Sequence, residues 1–596
     1  MYKPAFQILM GFWALIMVAN FSVLGVVHWA FYFGTFASLL LAFFLFYLAV
    51  TSGSEMTDTS QMIGAHMGVA EDLENPTKGK TRKFMLQDKV MNLGLLIVGA
   101  PGAGKTFAMV YLIYYLVVVQ PRQYAEAKQG KRRFWQKKKS LEIKPAGYLY
   151  NEGKGDLDIY RYLKAAGAEP DLFFSSELPH SETMNMFAGD MLDAIDRWDR
   201  ILIDQNGNPY YIGAQRKALK AAIPLLKEIG RLSGKAVTLR DLFVLFRHRE
   251  APIAALDLAR SLQVSPNVIS IADDFFSEDY DKRQELIDGM LNRLFVFVYG
   301  DHTNRINATS PTINLEFAVE NSLKVYNHLP LSQYAKDLAF VICEELATIA
   351  RKRQSSSEDR HSYNLFMDDW GGFFYEGFGT VTSRVRAVNM PIHFAFQSKG
   401  QMDTIDPSFA NIIDDTVSTK VFLRIAGLAT RKWASEMMGT YEDVSYNVSD
   451  KAEDGLDGSN MGVMERPRVR PEDFRRLHDG QAIIQTLLKK DKGLIEALDV
   501  KVRFPLAPEN EDAKAIGWPI IEPTEQAPGL GYWDEYMSDD LISDDMIECQ
   551  KGALKPIKQA DPESGLSGAE PVQAMQSVAP KVGVEAAFDD DEELFG

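Results

Sequence analysis

The octapeptide Gly99-Ala100-Pro101-Gly102-Ala103-Gly104-Lys105-Thr106 constrains this chain more than any other feature. It satisfies G-x-x-x-x-G-K-[ST] in full, and its setting suits the pattern: the apolar stretch from Leu93 to Val98 reads as a strand, and Thr106 to Val119 as a helix. Glycines at these positions let backbone N–H groups curl around phosphate oxygens at the positive end of a helix. Lys105 is then placed for the β- and γ-phosphates of ATP, and the Thr106 hydroxyl for Mg²⁺. A strand, a phosphate loop and a helix in that order belong to an α/β fold with a largely parallel sheet.

A phosphate loop needs an acid on a neighbouring strand to hold the metal ion and activate water. Tyr363 to Met367 reads as an apolar strand that ends in Asp368 and Asp369. This arrangement puts Asp368 on the metal and Asp369 toward the γ-phosphate; an acidic strand-to-helix loop is the competing reading. Lys105 and Asp368 stand 263 residues apart, more than a minimal nucleotide fold requires, so a domain is inserted between them. The stretch from 200 to 325 fits, because Ala218 to Leu232 and Ala254 to Gln263 carry apolar residues at three-to-four spacing. Further strands are expected at Gly147 to Tyr150, Ile392 to Phe396, Thr419 to Ile425 and Ala482 to Leu488.

From Ala5 to Val50 there is no Asp, Glu, Lys or Arg. Forty-six residues of helix would extend about 69 Å, roughly twice the ~30 Å hydrocarbon core of a bilayer. The run therefore reads as a two-span transmembrane hairpin with His28 and Trp29 at the interface, followed by a polar linker from Ser52 to Asp88. A second charged feature is the basic run from Lys128 to Lys144, eight Lys and Arg residues around Phe134 and Trp135. It is either a solvated loop or a contact for phosphates of lipid or nucleic acid.

Taken at face value, the net charge of −17 argues against a nucleic-acid partner. Yet residues 507–596 hold 21 Asp and Glu against five Lys and Arg, a balance of −16, which leaves the preceding 506 residues at −1. The acidity belongs to a tail rich in proline and glycine, expected to be disordered or ordered only on binding. Its tip, Phe588-Asp589-Asp590-Asp591-Glu592-Glu593-Leu594-Phe595-Gly596, suits a basic groove with an apolar pocket, or serves only solubility. Two cysteines make no disulfide framework, and no metal-ligand spacing or Ser-His-Asp motif stands out.

With these residues in place, the chain resembles the type IV secretion coupling proteins, the TraG/TraD group of membrane-anchored ATPases. Lys154-Gly155-Asp156 is similar to the family's turn after the second strand, without its leading Asp-Pro, and Asn185-Met186 to its Asn-Pro. Thr238-Leu239-Arg240-Asp241-Leu242 resembles a helix start in the insertion domain. Arg386 and Gln397 have the spacing of the family's Arg and of the Gln that polls the γ-phosphate. Arg466 to Leu477 resembles the closing motif, whose proline and acid precede a short helix and the last strand. Asp369 departs from the family's usual Glu, and Asn389 from its Gly.

The resemblance implies a RecA-like nucleotide-binding domain with an all-α insertion, arranged as a homo-hexamer with ATP and Mg²⁺ at subunit interfaces and Arg386 or Arg424 acting in trans. The expected division is a hairpin over 1–52, nucleotide-binding parts over 53–199 and 326–506, the insertion over 200–325 and the tail over 507–596. It also implies an inner-membrane protein, bulk cytoplasmic, that brings a relaxase with its DNA, or protein substrates, to type IV secretion components and drives transfer by ATP hydrolysis. The alternatives are a docking platform without pumping and a DNA translocase of the septal kind. An ABC-type ATPase needs a Leu-Ser-Gly-Gly-Gln element, and the nearest fragment, Leu232-Ser233-Gly234-Lys235, lies over a hundred residues too early.

Overall fold

The computed structural model describes residues 64–73, 81–129, 146–354, 361–375, 377–403, 409–448, 459–489 and 495–521. The strands in chain order are β1 (Gly64–Asp72), β2 (Thr81–Gln87), β3 (Leu95–Val98), β4 (Gly147–Glu152), β5 (Leu172–Ser175), β6 (Lys324–His328), β7 (Tyr363–Asp368), β8 (Ile392–Phe396), β9 (Thr419–Phe422), β10 (Thr440–Val448), β11 (Ser459–Pro467), β12 (Gln481–Lys489) and β13 (Ile495–Arg503). Eleven of them form one sheet in the order β2-β1-β13-β12-β9-β3-β8-β7-β4-β6-β5. The strands from β9 to β5 run parallel, and β12, β13, β1 and β2 extend the sheet with antiparallel pairings.

Strands buried on both faces read as continuous apolar runs rather than alternating ones. That is the character of β3, β7 and β8, where every residue is buried. The phosphate-loop helix α1 (Lys105–Tyr114) and α2 (Asp158–Ala165) cover one face, packing Met109, Leu112, Ile159 and Leu163 against Leu95, Ile97 and Tyr150. The alternate residues Phe394 and Phe396 meet Phe374 at 6.3 and 5.3 Å between ring centres on the other face. The helix expected to run to Val119 stays α-helical only to Tyr114 and continues as a π turn over Tyr115–Val119. There the Tyr115 hydroxyl donates to buried Asp88 at 2.5 Å.

The helical insertion leaves the sheet after β5 and returns at β6. It comprises α3 (Met191–Leu202), α4 (Pro209–Ser233), α5 (Leu239–Arg247), α6 (Ala251–Ser261), α7 (Pro266–Phe276) and α8 (Tyr280–Val298). Thr238 begins α5 as a capping box, its backbone N–H donating to Asp241 Oδ2 at 2.7 Å. The boundary expected at 200 falls inside α3, and the one at 325/326 falls inside β6. Beyond β6 come α9 (Gln333–Gln354), α10 (Phe378–Ala387), α11 (Leu428–Met438) and α12 (Pro471–Arg475). Ion pairs from Arg197 to Glu345 at 3.5 Å and from Arg351 to Asp193 at 2.5 Å tie α3 to α9.

Three expectations need correction. The stretch read as a polar linker before Asp88 contains β1 and β2, drawn into the sheet edge by pairing of Ala70 with Val502 and of His66 with Met85. The closing motif leads through α12 into β12, which is followed by one more strand, β13, so β12 is not the last. The segment after 507, read as part of a disordered tail, lies along the body as far as residue 521. Asn510 donates its backbone N–H to Ala165 O at 2.7 Å, Arg161 Nε donates to Ile516 O at 2.6 Å, and Trp518 stands 5.4 Å from Phe173 and 4.6 Å from His328 between ring centres. The hairpin expected over 5–50, most of the basic run and the acidic tip lie outside the described residues. Among the described residues no helix is long and apolar enough to cross a membrane.

Candidate nucleotide site

Parallel strands present their C-terminal ends at one edge of a sheet, and crevices there are the usual ligand sites of open α/β folds. At this edge β3 runs into the phosphate loop. Gly102 has φ +74° and Gly104 φ +101°, values that favour glycine. A Cβ on Gly102 would meet nothing within 4 Å, so the loop opens onto free space at that residue. On its other side the loop is clamped: Ala100 N–H donates to Arg424 O at 2.8 Å, and a Cβ on Gly99 would meet Leu423 at 2.8 Å. Lys105 is buried and donates from Nζ to Gly99 O at 2.8 Å. Burial pulls its ammonium below the ordinary lysine range, opposed by Asp369 and Asp368.

The expected acid is not on the adjacent strand. β8 lies between β3 and β7, Val98 pairing with Phe396 and Asp368 with Ala395. Immediately after this interposed strand comes Gln397, which donates from Nε2 to Asp369 Oδ1 at 3.1 Å. Asp368 closes β7, is 4% exposed, and accepts the Tyr150 hydroxyl at 3.0 Å. Burial, reinforced by Asp369, pushes its carboxyl up to about 6. Asp369 has φ +47°, a left-handed turn that directs the chain away from the strand. Lys105, Gln397, Asp368 and Asp369 therefore come together at the ends of three consecutive strands.

The two arginines part company. Arg424 follows β9 at the loop edge and pairs with Asp479 at 3.1 Å. Arg386 sits in the last turn of α10, which returns the chain to the start of β8, at the opposite edge of the sheet. Arg386 is thus separated from this chain's own loop by the length of the strands.

Sequence reasoning passed over Glu152. It closes β4, is fully buried, and lies in register with Asp368 on one side and His328 on the other. Burial pushes its carboxyl up to about 8 against the pull of the Lys154 and Gly155 backbone N–H groups. The signal was available: an apolar run from Gly147 to Tyr150 entering a turn with an acid near its start. Tyr150, which holds Asp368, was read only as part of that strand.

The donor set fits phosphate and a hard cation. The open glycine loop offers N–H groups to an anion, and the Thr106 hydroxyl with the Asp368 carboxylate offers the oxygen ligands that Mg²⁺ prefers.

Residues 364–479, which carry β7 to the end of α12, match the family described as the TraM recognition site of TraD and TraG. That segment of the chain is of the TraG/TraD type. Solved structures similar to this chain include distant ones. The unbound bacterial conjugative coupling protein TrwB is 14% identical over 72% of this chain and 89% of its own, with a TM-score of 0.45. TrwB with a non-hydrolysable ATP analogue is 13% identical over 74% and 91%, with a TM-score of 0.45. VirB4 of Thermoanaerobacter pseudethanolicus is 12% identical over 75% and 98%, with a TM-score of 0.41. No curated protein matches the sequence.

Proposed function

We propose that this protein is a membrane-anchored ATPase of the coupling-protein type, with a RecA-like motor domain, that hands substrates to a type IV secretion or conjugation channel. The observation that carries the reading is the convergence of Lys105, Gln397, Asp368 and Asp369 at the open glycine loop. In this reading the loop's N–H groups and Lys105 hold the phosphates of ATP, with Lys105 leaving Gly99 O to do so. Thr106 and Asp368 hold Mg²⁺, which supplies charge neutralisation on the β- and γ-phosphates. Asp369 accepts a proton from the attacking water, and Gln397 fixes the carboxylate that accepts it. Arg386, far from its own loop, is suited to a neighbour's site, which favours a ring of six copies with nucleotide between subunits.

The anchor is the hairpin over 5–50, which places the protein in the inner membrane with the sheet on the cytoplasmic side. The partners are a relaxase with its DNA, or secreted proteins, reached through the acidic tip, and the matched family's description as a TraM recognition site is in keeping with a relaxosome partner. DNA transfer and ATP turnover measured together on Lys105→Ala test the reading. Loss of both is expected. Transfer that survives with turnover abolished would leave the chain a docking platform, and turnover that survives would overturn the assignment of the site.

A further inference from the structure

The turn after β4 is built around a buried carboxyl, that of Glu152. Glu152 accepts the backbone N–H of Lys154 at 2.6 Å and of Gly155 at 2.8 and 2.9 Å. Both oxygens therefore serve the turn, and the turn is fixed as few surface loops are. It is also wedged from two sides. A Cβ on Gly153 would meet the Phe373 ring at 2.6 Å and Asp369 O at 3.3 Å, while one on Gly155, at φ +82°, would meet Pro330 at 3.1 Å. The residue between these glycines, Lys154, is the one long side chain the turn presents.

Its ammonium is exposed and pairs with Asp156, two residues on. That pair, chiefly, holds its ammonium above the ordinary lysine range, with Asp158 and Asp369 adding to it, and its charge in turn opposes that of Lys105; the turn itself stands against Asp369, whose carbonyl oxygen lies 3.3 Å from a Cβ placed on Gly153. A pair between exposed groups in water is worth little and exchanges readily for a stronger anion.

We propose that Lys154, presented by the Glu152-held turn, is a second cation for the nucleotide and contacts the terminal phosphate alone. The inference rests on the nucleotide-site reading above. Strand spacing carries the selectivity. From β3 to β4 there are three steps, through β8 and β7, or about 14 Å at ~4.8 Å each. The phosphates next to the sugar are enclosed by the loop at β3, so a lysine rooted on β4 meets only the end of the chain that projects past β8. Lys105 acts from the loop, Lys154 from the far side, and Asp369 lies between them. Binding of a triphosphate would then draw Lys154 off Asp156, and a diphosphate would leave the pair intact.

The test is the affinity of the full-length protein, with Mg²⁺, for ADP and for a non-hydrolysable ATP analogue, read by calorimetry. Lys154→Ala is expected to weaken the analogue about tenfold, the scale of one hydrogen bond to a charged group, and to leave ADP within about twofold. Lys154→Arg restores the analogue's affinity. Glu152→Ala reproduces the selective loss, because the turn is released while Lys154 is retained. Equal weakening of both nucleotides by Lys154→Ala, or of neither, overturns the proposal while the site reading stands. If the unaltered protein binds neither nucleotide, the site reading falls and takes the proposal with it.

Discussion

Gln397 Nε2 donates to Asp369 Oδ1 at 3.1 Å, so the residue just past β8 orients the acid just beyond the end of β7. β8 lies between the phosphate-loop strand and the acidic strand, and Gln397 therefore stands between the loop and Asp369. Removing the amide frees the carboxylate without disturbing the loop. On the ATPase reading, Gln397→Ala lowers kcat about 100-fold, within the range for a positioned acid or base, and changes the affinity for ATP less than threefold. Steady-state kinetics beside direct binding checks both halves, and a loss confined to affinity would place Gln397 in ground-state binding instead.

Arg386 and Arg424 lie at opposite edges of the sheet, which would separate their roles in the proposed ring. Chains carrying Arg386→Ala keep an intact loop, and chains carrying Lys105→Ala keep an intact arginine. If Arg386 serves a neighbour, mixing the two inactive proteins creates interfaces that have both, and ATP turnover reappears with a maximum near equal amounts. Turnover that stays at zero across all ratios would place the residue in its own subunit or outside the chemistry.

The segment from Phe504 to Ile521 starts against the phosphate-loop edge, where Phe504 N–H donates to Gly480 O at 2.8 Å, and reaches the β5 edge at Trp518. A chain ending at 521 is expected to match the thermal midpoint of the full protein, whereas one ending at 503 unfolds earlier. Trp518→Ala costs about 2 kcal/mol, below the usual 3–5 for a fully buried ring because this one is half-buried. Denaturant titration distinguishes this from an ornamental tail, for which all three changes would be silent.

His393 is fully buried, stacked on Phe366 at 4.6 Å and hydrogen-bonded to Asn364 Oδ1 at 3.0 Å. Burial pulls its imidazole down to about 3, and that of His328 to about 4. Unfolded histidines take up protons near pH ~6.5, so between ~6.5 and ~4 the unfolded chain holds more protons than the native one. Stability contributed by these neutral rings is present above that window and is lost as the pH falls through it. His393→Phe should flatten the fall of the denaturation midpoint over this range relative to the unaltered protein. It should also lower the midpoint at pH 7.5, where Asn364 Oδ1 is left without a partner. An unchanged slope would assign the acid sensitivity elsewhere.

Features written into contiguous residues were open to reading from the chain alone. The phosphate loop needs its strand, its glycines and its helix within some twenty residues, and backbone conformation at Gly102 and Gly104 follows from those residues. The apolar run ending in Asp368 and Asp369, the helical repeat of α4 and the uneven charge are legible for the same reason: each depends on neighbours in sequence. Pairing between distant segments is not. β1 and β2 carry too many polar residues to announce themselves; β1 becomes a strand because β13, more than 400 residues later, offers it a ladder, and β2 pairs onto β1 in turn. The first part of the acidic tail is ordered because Ala513, Ile516 and Trp518 find an apolar surface between α2 and β5.

At the candidate site, the sequence alone singled out the groups the proposed chemistry uses: Lys105, Thr106, Asp368 and Asp369. Only the tertiary structure decided their order across the sheet. It put Gln397 between the loop and the acids, set Glu152 beside Asp368 and brought the turn at Gly153 against Asp369, and it sent Arg386 to the far edge. The physical reason is that a parallel sheet is assembled by hydrogen bonds between strands whose separation along the chain leaves no trace in local pattern, so adjacency within it exists only once the fold has formed.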